Sequence, residues 1–487
     1  MCLQFVRKSK TMTPAVFVMS CFCTALRLVA TGAAADPGIV ELNVGEAREV
    51  VLPGGRTTVI RLRSYLERTE PFCQSADSQF VDAVVSADVA LEVDGVQHTV
   101  TGGPFRLPVT VNGVAVLVAC TRGWGGGIFA DGLARDVRLE VSDARTPWTE
   151  PERFVYPIRN YRWRASNYQH TYLGVVVNQA RLYYHRGEDL GMIPDLEQTR
   201  AMSGGRLSRV PPPGGDGDSN DLWVEDAGGM TTRYLHMNAA GIDPILSEGD
   251  GVRQGQALGR TGNTYAGHCS PTPHLHVSMH DGDVYRNTFP LFVAAYRHSF
   301  PGELLPIAGN VRHLYAGGEI TLDGSLSLAG NGAQIESYQW TFTDGGRANA
   351  PRVRRRYPQP GVYSEELRVT DNQGRTDRDF VEVYVLSRTL GMRPPRAWIN
   401  YYPIRGIRPG TEVRFLIRYK NIRDLTIDYG DGTQQPYAEW TTHRYAKPGN
   451  YVVSVEGEDA GAGPGTFRVR VIVEEQTPVE NYPKGGE

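Results

Sequence analysis

The chain has 487 residues, with 51 basic and 54 acidic side chains and a formal net charge of −3. Its 40 % hydrophobic and 22 % charged content is that of a folding chain, which excludes a disordered or collagen-like protein, and at about 150 residues per domain a single core is excluded as well. Its 55 Gly and 31 Pro, 86 of 487 residues, exceed the usual share of about 12 % and call for many turns between short strands.

The first predicted element is a leader. Arg7, Lys8 and Lys10 precede an apolar run from Thr13 to Leu26, and Ala33-Ala34-Ala35 offers the small residues at which such leaders are cut. Residues 1–35 therefore read as a secretory signal, too short in its apolar part to span a bilayer, which needs roughly 20 apolar residues. No stable transmembrane anchor is expected, and the mature chain belongs outside the cell or in the periplasm and cell envelope. The leader takes four basic residues (Arg7, Lys8, Lys10, Arg27) and no acidic ones, so 51 basic residues fall to 47 against 54 acidic, a net charge of −7. That balance carries no nucleic-acid footprint.

Residues 36–150 alternate apolar and polar side chains between turn signals such as Pro53-Gly54-Gly55, Asp94-Gly95 and Asn112-Gly113, the pattern of an antiparallel β domain. No cluster in it suggests chemistry. Outside the leader three cysteines remain, Cys73, Cys120 and Cys269, with no Cys-x-x-Cys spacing. Export to an oxidising compartment makes a Cys73–Cys120 disulfide the expected pairing, since both lie in this domain. A Pro-containing linker, Thr146 to Pro151, follows.

Residues 157–300 hold eight of the eleven histidines, His170, His185, His236, His268, His274, His276 and His280, with His298 at the edge. The apolar runs here are strand-sized, and no long helical periodicity is present. Beyond residue 305 the chain repeats itself. Trp340 to Gly345 and then Pro360-Gly361-Val362-Tyr363 correspond to Ile427 to Gly432 and then Pro448-Gly449-Asn450-Tyr451. Two modules follow from this, residues 305–388 and 395–475, each with turn-fed alternating strands that suggest an immunoglobulin-like sandwich. The whole is expected to be mainly β. Neither repeat holds a cluster of ligands or acid/base groups, so both are expected to be dispensable for chemistry and to serve localisation.

Two short motifs carry the chemistry. In His274-Leu275-His276-Val277, strand parity turns both imidazoles to one face while Leu275 and Val277 enter the core. In His185-Arg186-Gly187-Glu188-Asp189, Gly187 disfavours a helix, so imidazole and carboxylate converge from a turn at a strand end. Two imidazoles and one carboxylate are a common ligand set for a catalytic zinc that keeps a fourth position for water. His170, His268, His280 and His298 are expected to be ordinary core or surface residues. The Pro- and Gly-rich stretch from Val210 to Asp221 reads as an inserted surface loop. Its Asp216-x-Asp218-x-Asn220 run lacks the glycine and the terminal glutamate of a calcium loop.

In chain order, His185 to Asp189, Tyr234-Leu235-His236, Gly249-Asp250-Gly-Val252-Arg-Gln-Gly255-Gln256, Thr261-Gly262 and His274-Leu-His276 resemble the M23 family of zinc metallopeptidases, the lysostaphin-like or LytM enzymes that cut bacterial cell-wall peptides. The resemblance implies an antiparallel β peptidase domain, Zn2+ bound by His185, Asp189 and His276, and free catalytic imidazoles at His236 and His274. It also implies a peptidoglycan substrate. The two repeats resemble PKD domains, with Thr343 and Ile427 departing from that pattern, and imply contact with wall polymer or polysaccharide. No Ser-centred nucleophile elbow and no His-Glu-x-x-His run is present. Two other functions fit the same motifs: a non-catalytic wall-binding or regulatory protein, and a zinc protease acting on Gly-rich extracellular proteins.

Overall fold

Short alternating runs punctuated by glycine turns build the first domain. A computed structural model describes residues 36–73, 80–125, 132–178, 181–388, 393–459 and 462–475; the expected leader, residues 1–35, lies outside them. Eight strands come first: β1 (Gly38–Leu42), β2 (Ala47–Val51), β3 (Thr57–Cys73), β4 (Phe80–Val93), β5 (Val96–Gly102), β6 (Val109–Val111), β7 (Val114–Thr121) and β8 (Val137–Asp143). They form two antiparallel sheets, ordered β1-β8-β7-β6 and β2-β3-β4-β5. Asp94-Gly95 and Asn112-Gly113 adopt positive φ at both positions and close tight hairpins. Ile60, Leu62, Val89 and Leu91 of one sheet meet Val116, Val118, Leu139 and Val141 of the other in one core.

Cys73 ends β3 in one sheet and Cys120 lies within β7 in the other. Both cysteines are buried, whereas Cys269 is exposed. The sulfur of Cys120 lies 3.6 Å from Nη2 of Arg186.

The histidine-rich stretch supplies β9 (Val175–Asn178), β10 (Arg181–Tyr184), β11 (Glu188–Gly191), β12 (Gln198–Arg200), β13 (Gly205–Arg209), β14 (Leu222–Glu225), β15 (Met230–Leu235), β16 (Gly251–Val252), β17 (Ala257–Arg260), β18 (Thr264–Tyr265), β19 (His268–Cys269), β20 (His274–Asp281) and β21 (Val284–Tyr285). The main sheet runs β11-β20-β15-β14-β13-β16, with β21 also on β20. On its core face Leu190, Leu222, Val224, Tyr234, Leu275, Val277 and Met279 are buried together with Phe289, Phe292 and Tyr296 of α1 (Phe289–Ser299). Pro290 starts that helix and Arg297 and His298 sit in its last turn, where a cation suits the carbonyl end. Among the described residues no helix is long and apolar enough to cross a membrane.

The two C-terminal repeats form β-sandwich modules. Their strands Gly361–Asp371 and Gly463–Val473 meet in parallel at Val362 and Gly465, so one nine-stranded sheet runs through both. The crossing is close: a Cβ on Gly463 would lie 2.1 Å from Pro360 O.

The second repeat also packs on the segment that leads into the site. Asn167 uses its amide as a strand edge would, accepting from Ile399 N at 2.8 Å and donating to Ala397 O at 2.8 Å. Arg405 donates to Tyr161 O and makes a two-pronged pair with Glu303 at 2.6 and 2.9 Å. The fully buried Arg470 donates to Trp163 O. One contiguous apolar core consequently runs from the histidine-bearing sheet through α1 into Ile399, Tyr401 and Phe415 of the second repeat.

Candidate metal centre

β20 lies between β11 and β15, and the antiparallel register sets Asp189 and Leu235 on either side of His276. Directly opposed residues share a face, and so do residues two apart on one strand. Asp189, His274 and His276 are thereby turned to the same side of the sheet. His185 reaches them from the turn between β10 and β11. The chain passes so close to β20 there that a Cβ on Gly187 would lie 2.5 Å from Val277 O and 2.8 Å from Nε2 of His276. His236 follows β15 with a φ of 71°, and its ring centroid comes to 4.5 Å from that of His274.

Three donor atoms converge. His185 Nε2 is 3.0 Å from Asp189 Oδ1 and 2.9 Å from His276 Nδ1, and that Nδ1 is 2.8 Å from the same Oδ1. These form the described group of metal-ligating type. Protons cannot satisfy all three edges, because a single hydrogen bridges two imidazole nitrogens and then leaves the others facing lone pair to lone pair. A tetrahedral zinc with bonds of about 2.0–2.2 Å needs ligand atoms roughly 3.3 Å apart, and the triangle is close to one face of that tetrahedron. The donor set and its spacing fit a zinc ion. Burial opposes the charge on Asp189, but His185 and His274 and the hydrogen bonds from His185 and His276 hold its carboxyl well below the usual range.

His236 and His274 stand beside the triangle with their tautomers fixed. His236 Nδ1 is 2.7 Å from Thr264 O, and His274 Nδ1 is 2.8 Å from Thr272 O. A carbonyl can only accept, so each Nδ1 carries the proton and each Nε2 is a bare base. Burial pushes both imidazoles down to about 4, against the opposing charge of Asp189, so they are neutral at ordinary pH.

Residues 183–288 match the Peptidase family M23 model, and residues 305–385 and 398–473 match PKD domain models. The chain carries an M23 peptidase domain followed by two PKD domains. Among curated proteins, collagenase ColA of Clostridium perfringens is 34 % identical over 68 residues, which is 14 % of this chain and 6 % of the collagenase. Among solved structures, a lytM protein from Ruminococcus gnavus is 16 % identical, with 26 % of this chain and 61 % of that one covered at a TM-score of 0.20. Csd3 of Helicobacter pylori is 15 % identical, with 50 % of this chain and 48 % of that one covered at a TM-score of 0.23. The chain thus spans a small part of the collagenase and less than two thirds of the lytM and Csd3 chains.

Within the M23 domain the structure brings His185, Asp189 and His276 into one triangle and sets His236 and His274 against it. His170 stays outside it, 5.8 Å from His185 ring to ring, and offers its backbone oxygen to Asp189 N at 2.8 Å. His280 is buried further along β20, bonded to Ser278 Oγ at 3.1 Å. Two supports carry no signal in the sequence. The carbonyls of Thr264 and Thr272 that set the imidazole tautomers are backbone atoms, which any residue supplies. Arg186 is held by the N-terminal domain, its Nη2 donating to Trp124 O at 2.8 Å, so that domain buttresses the turn bearing His185.

Proposed function

We propose that this protein is an exported zinc-dependent endopeptidase that hydrolyses peptide bonds of bacterial cell-wall peptidoglycan. The observation that carries the reading is the His185–Asp189–His276 triangle beside two neutral imidazoles inside an M23 domain. His185, Asp189 and His276 would hold the ion. When bound there, zinc supplies a Lewis acid that polarises a peptide carbonyl and acidifies water.

The chain's own groups then divide the remaining work. His274 Nε2, kept bare by the Nδ1 bond to Thr272 O, takes the proton of the attacking water as general base. His274 then passes that proton to the leaving amine, and His236, fixed in the same way by Thr264 O, can donate to the developing oxyanion only after its Nε2 has taken a proton from solvent. Asp189 keeps its negative charge because His185 and His276 bond to its Oδ1 and His274 lies 3.6 Å from it. The PKD domains support placement on wall polymer or polysaccharide, and the leader expected from the sequence fits work outside the cytoplasm.

The test is a zymogram of purified residues 36–487 on cell walls, run with and without a chelator, beside an elastin-like polypeptide. Clearing that chelation abolishes and zinc restores supports the reading. Zinc-loaded protein that leaves walls intact and digests the elastin-like chain would replace the substrate, and one that cleaves neither would defeat the enzyme.

A further inference from the structure

The face of the sheet that bears the metal triangle continues beyond it. After His276, β20 presents Ser278, which stands opposite Arg233 of β15; Arg233 stands opposite Trp223 of β14, and Trp223 opposite Arg209 of β13. This row runs alongside the row of Asp189, His276 and Leu235, about 7 Å away along the strands. The guanidinium carbon of Arg233 lies 3.9 Å from the centroid of Trp223, and that of Arg209 lies 5.5 Å from it.

The two arginines differ in what neutralises them. Arg209 Nη2 donates to Asp216 Oδ2 at 3.0 Å, and Asp216 is also bonded by the backbone amides of Asp218, Asn220 and Asp221. Arg233 has its Nε shielded from water without an acceptor, and among the described residues no carboxylate pairs with it. Asp221 is within electrostatic reach of both arginines, yet its Oδ1 is also buried without a hydrogen bond. A guanidinium held over an indole ring by its charge still has N–H groups with which to grip a carboxylate by two bonds.

We infer that Arg233, held over the ring of Trp223 on the face that bears the metal triangle, is a carboxylate-binding subsite, so that the preferred peptides carry a free carboxylate near the bond to be cut. The offset from His276 is one strand and two residues, about 8 Å, which an extended peptide covers in two to three residues. The inference rests on the peptidase reading for its meaning in catalysis, and it distinguishes an anionic wall peptide from a neutral polyglycine.

Two series of fluorescein-labelled acetyl-hexaglycine amides test it, one with a single Asp moved through the six positions and one with Asn in its place. Binding to the full-length protein is read by short-time anisotropy at low temperature, and cleavage is followed separately. At one or two adjacent positions Asp should bind at least about 10-fold more tightly than Asn. Arg233→Gln should bring that ratio to within about 2-fold, and Arg233→Lys should keep part of it. Equal binding of Asp and Asn at every position in the natural protein overturns the subsite, as does a preference that survives Arg233→Gln. Preferential binding without cleavage would sink the peptidase reading and leave the subsite standing; cleavage without preference would do the reverse.

Discussion

His274 and His276 stand two residues apart on one strand, yet they use the same ring nitrogen for different ends. Nδ1 of His276 faces the donor triangle, whereas Nδ1 of His274 is given away to Thr272 O. His276→Ala should therefore lose bound zinc and activity together, as measured by elemental analysis beside turnover of a wall-derived peptide. His274→Ala should keep close to one zinc per chain while its rate falls by roughly 10²–10⁴. Equal loss of metal in both variants would refute the division. Arg186 gives a finer test, because it adjoins His185 in the chain and is anchored on Trp124 O of another domain. Arg186→Ala should weaken zinc binding by about 10–100-fold with a rate that recovers in excess zinc, the signature of a support behind the ligands.

At the scale of elements, strand parity made half the site readable. His274 and His276 could be placed on one face because a strand has a period of two, and Gly187 marked the turn that swings His185 toward Asp189. What stayed hidden was the company the strands keep. The strand Arg396–Tyr402 of the second PKD domain shows ordinary alternation, and nothing in it says that Asn400 reaches Ser166 Oγ at 2.7 Å or that Asn167 mimics a strand edge beside it. The expectation that the repeats are dispensable rested on their lack of acid/base clusters, and these contacts argue against it. A chain ending near Phe300 would expose Tyr161, Trp163 and Tyr296, all buried in the shared core. Such a truncation should be insoluble or should unfold tens of degrees earlier in a thermal melt; a soluble, active fragment would show that the M23 domain folds alone. Arg405→Ala, which strands the Glu303 carboxylate, should cost about 3–5 kcal/mol in denaturant titration.

Taken as a whole molecule, the protein carries buried carboxyl groups that pull its stability in opposite directions with pH. Burial tends to raise Glu303, but the bonds and charge of Arg405, then Arg162, hold it down at about 2. A depressed acid stabilises above its unfolded value near 4.5 and loses that contribution as pH falls from there toward 2, here about 3 kcal/mol. Glu382 is the reverse case. Burial raises it to about 7 despite hydrogen bonds from Asn167 and Tyr384. Its contribution is full below 4.5 and is lost as pH rises through 7. Denaturation midpoints measured from pH 2 to 9 should fall on both sides. Glu303→Gln should flatten the acid side alone, and Glu382→Gln the neutral side alone. A midpoint curve that neither variant reshapes would show that these two carboxyls do not govern it.

The nine-stranded sheet that passes through both PKD domains has a mechanical consequence. Two sandwiches joined by a loose linker would swing, and a tether of that kind lets an enzyme sweep a volume. Here the strands Gly361–Asp371 and Gly463–Val473 run side by side at the crossing, with Gly463 too close to Pro360 for any larger residue. A pull on the far module is carried as shear along these strands into the clamp at Asn167 and Arg405 instead of being absorbed by a hinge. Attached to a surface through its C-terminal modules, the protein would hold its metal triangle at a set height and angle, as a fixed blade does, and reach its substrate by moving along the surface.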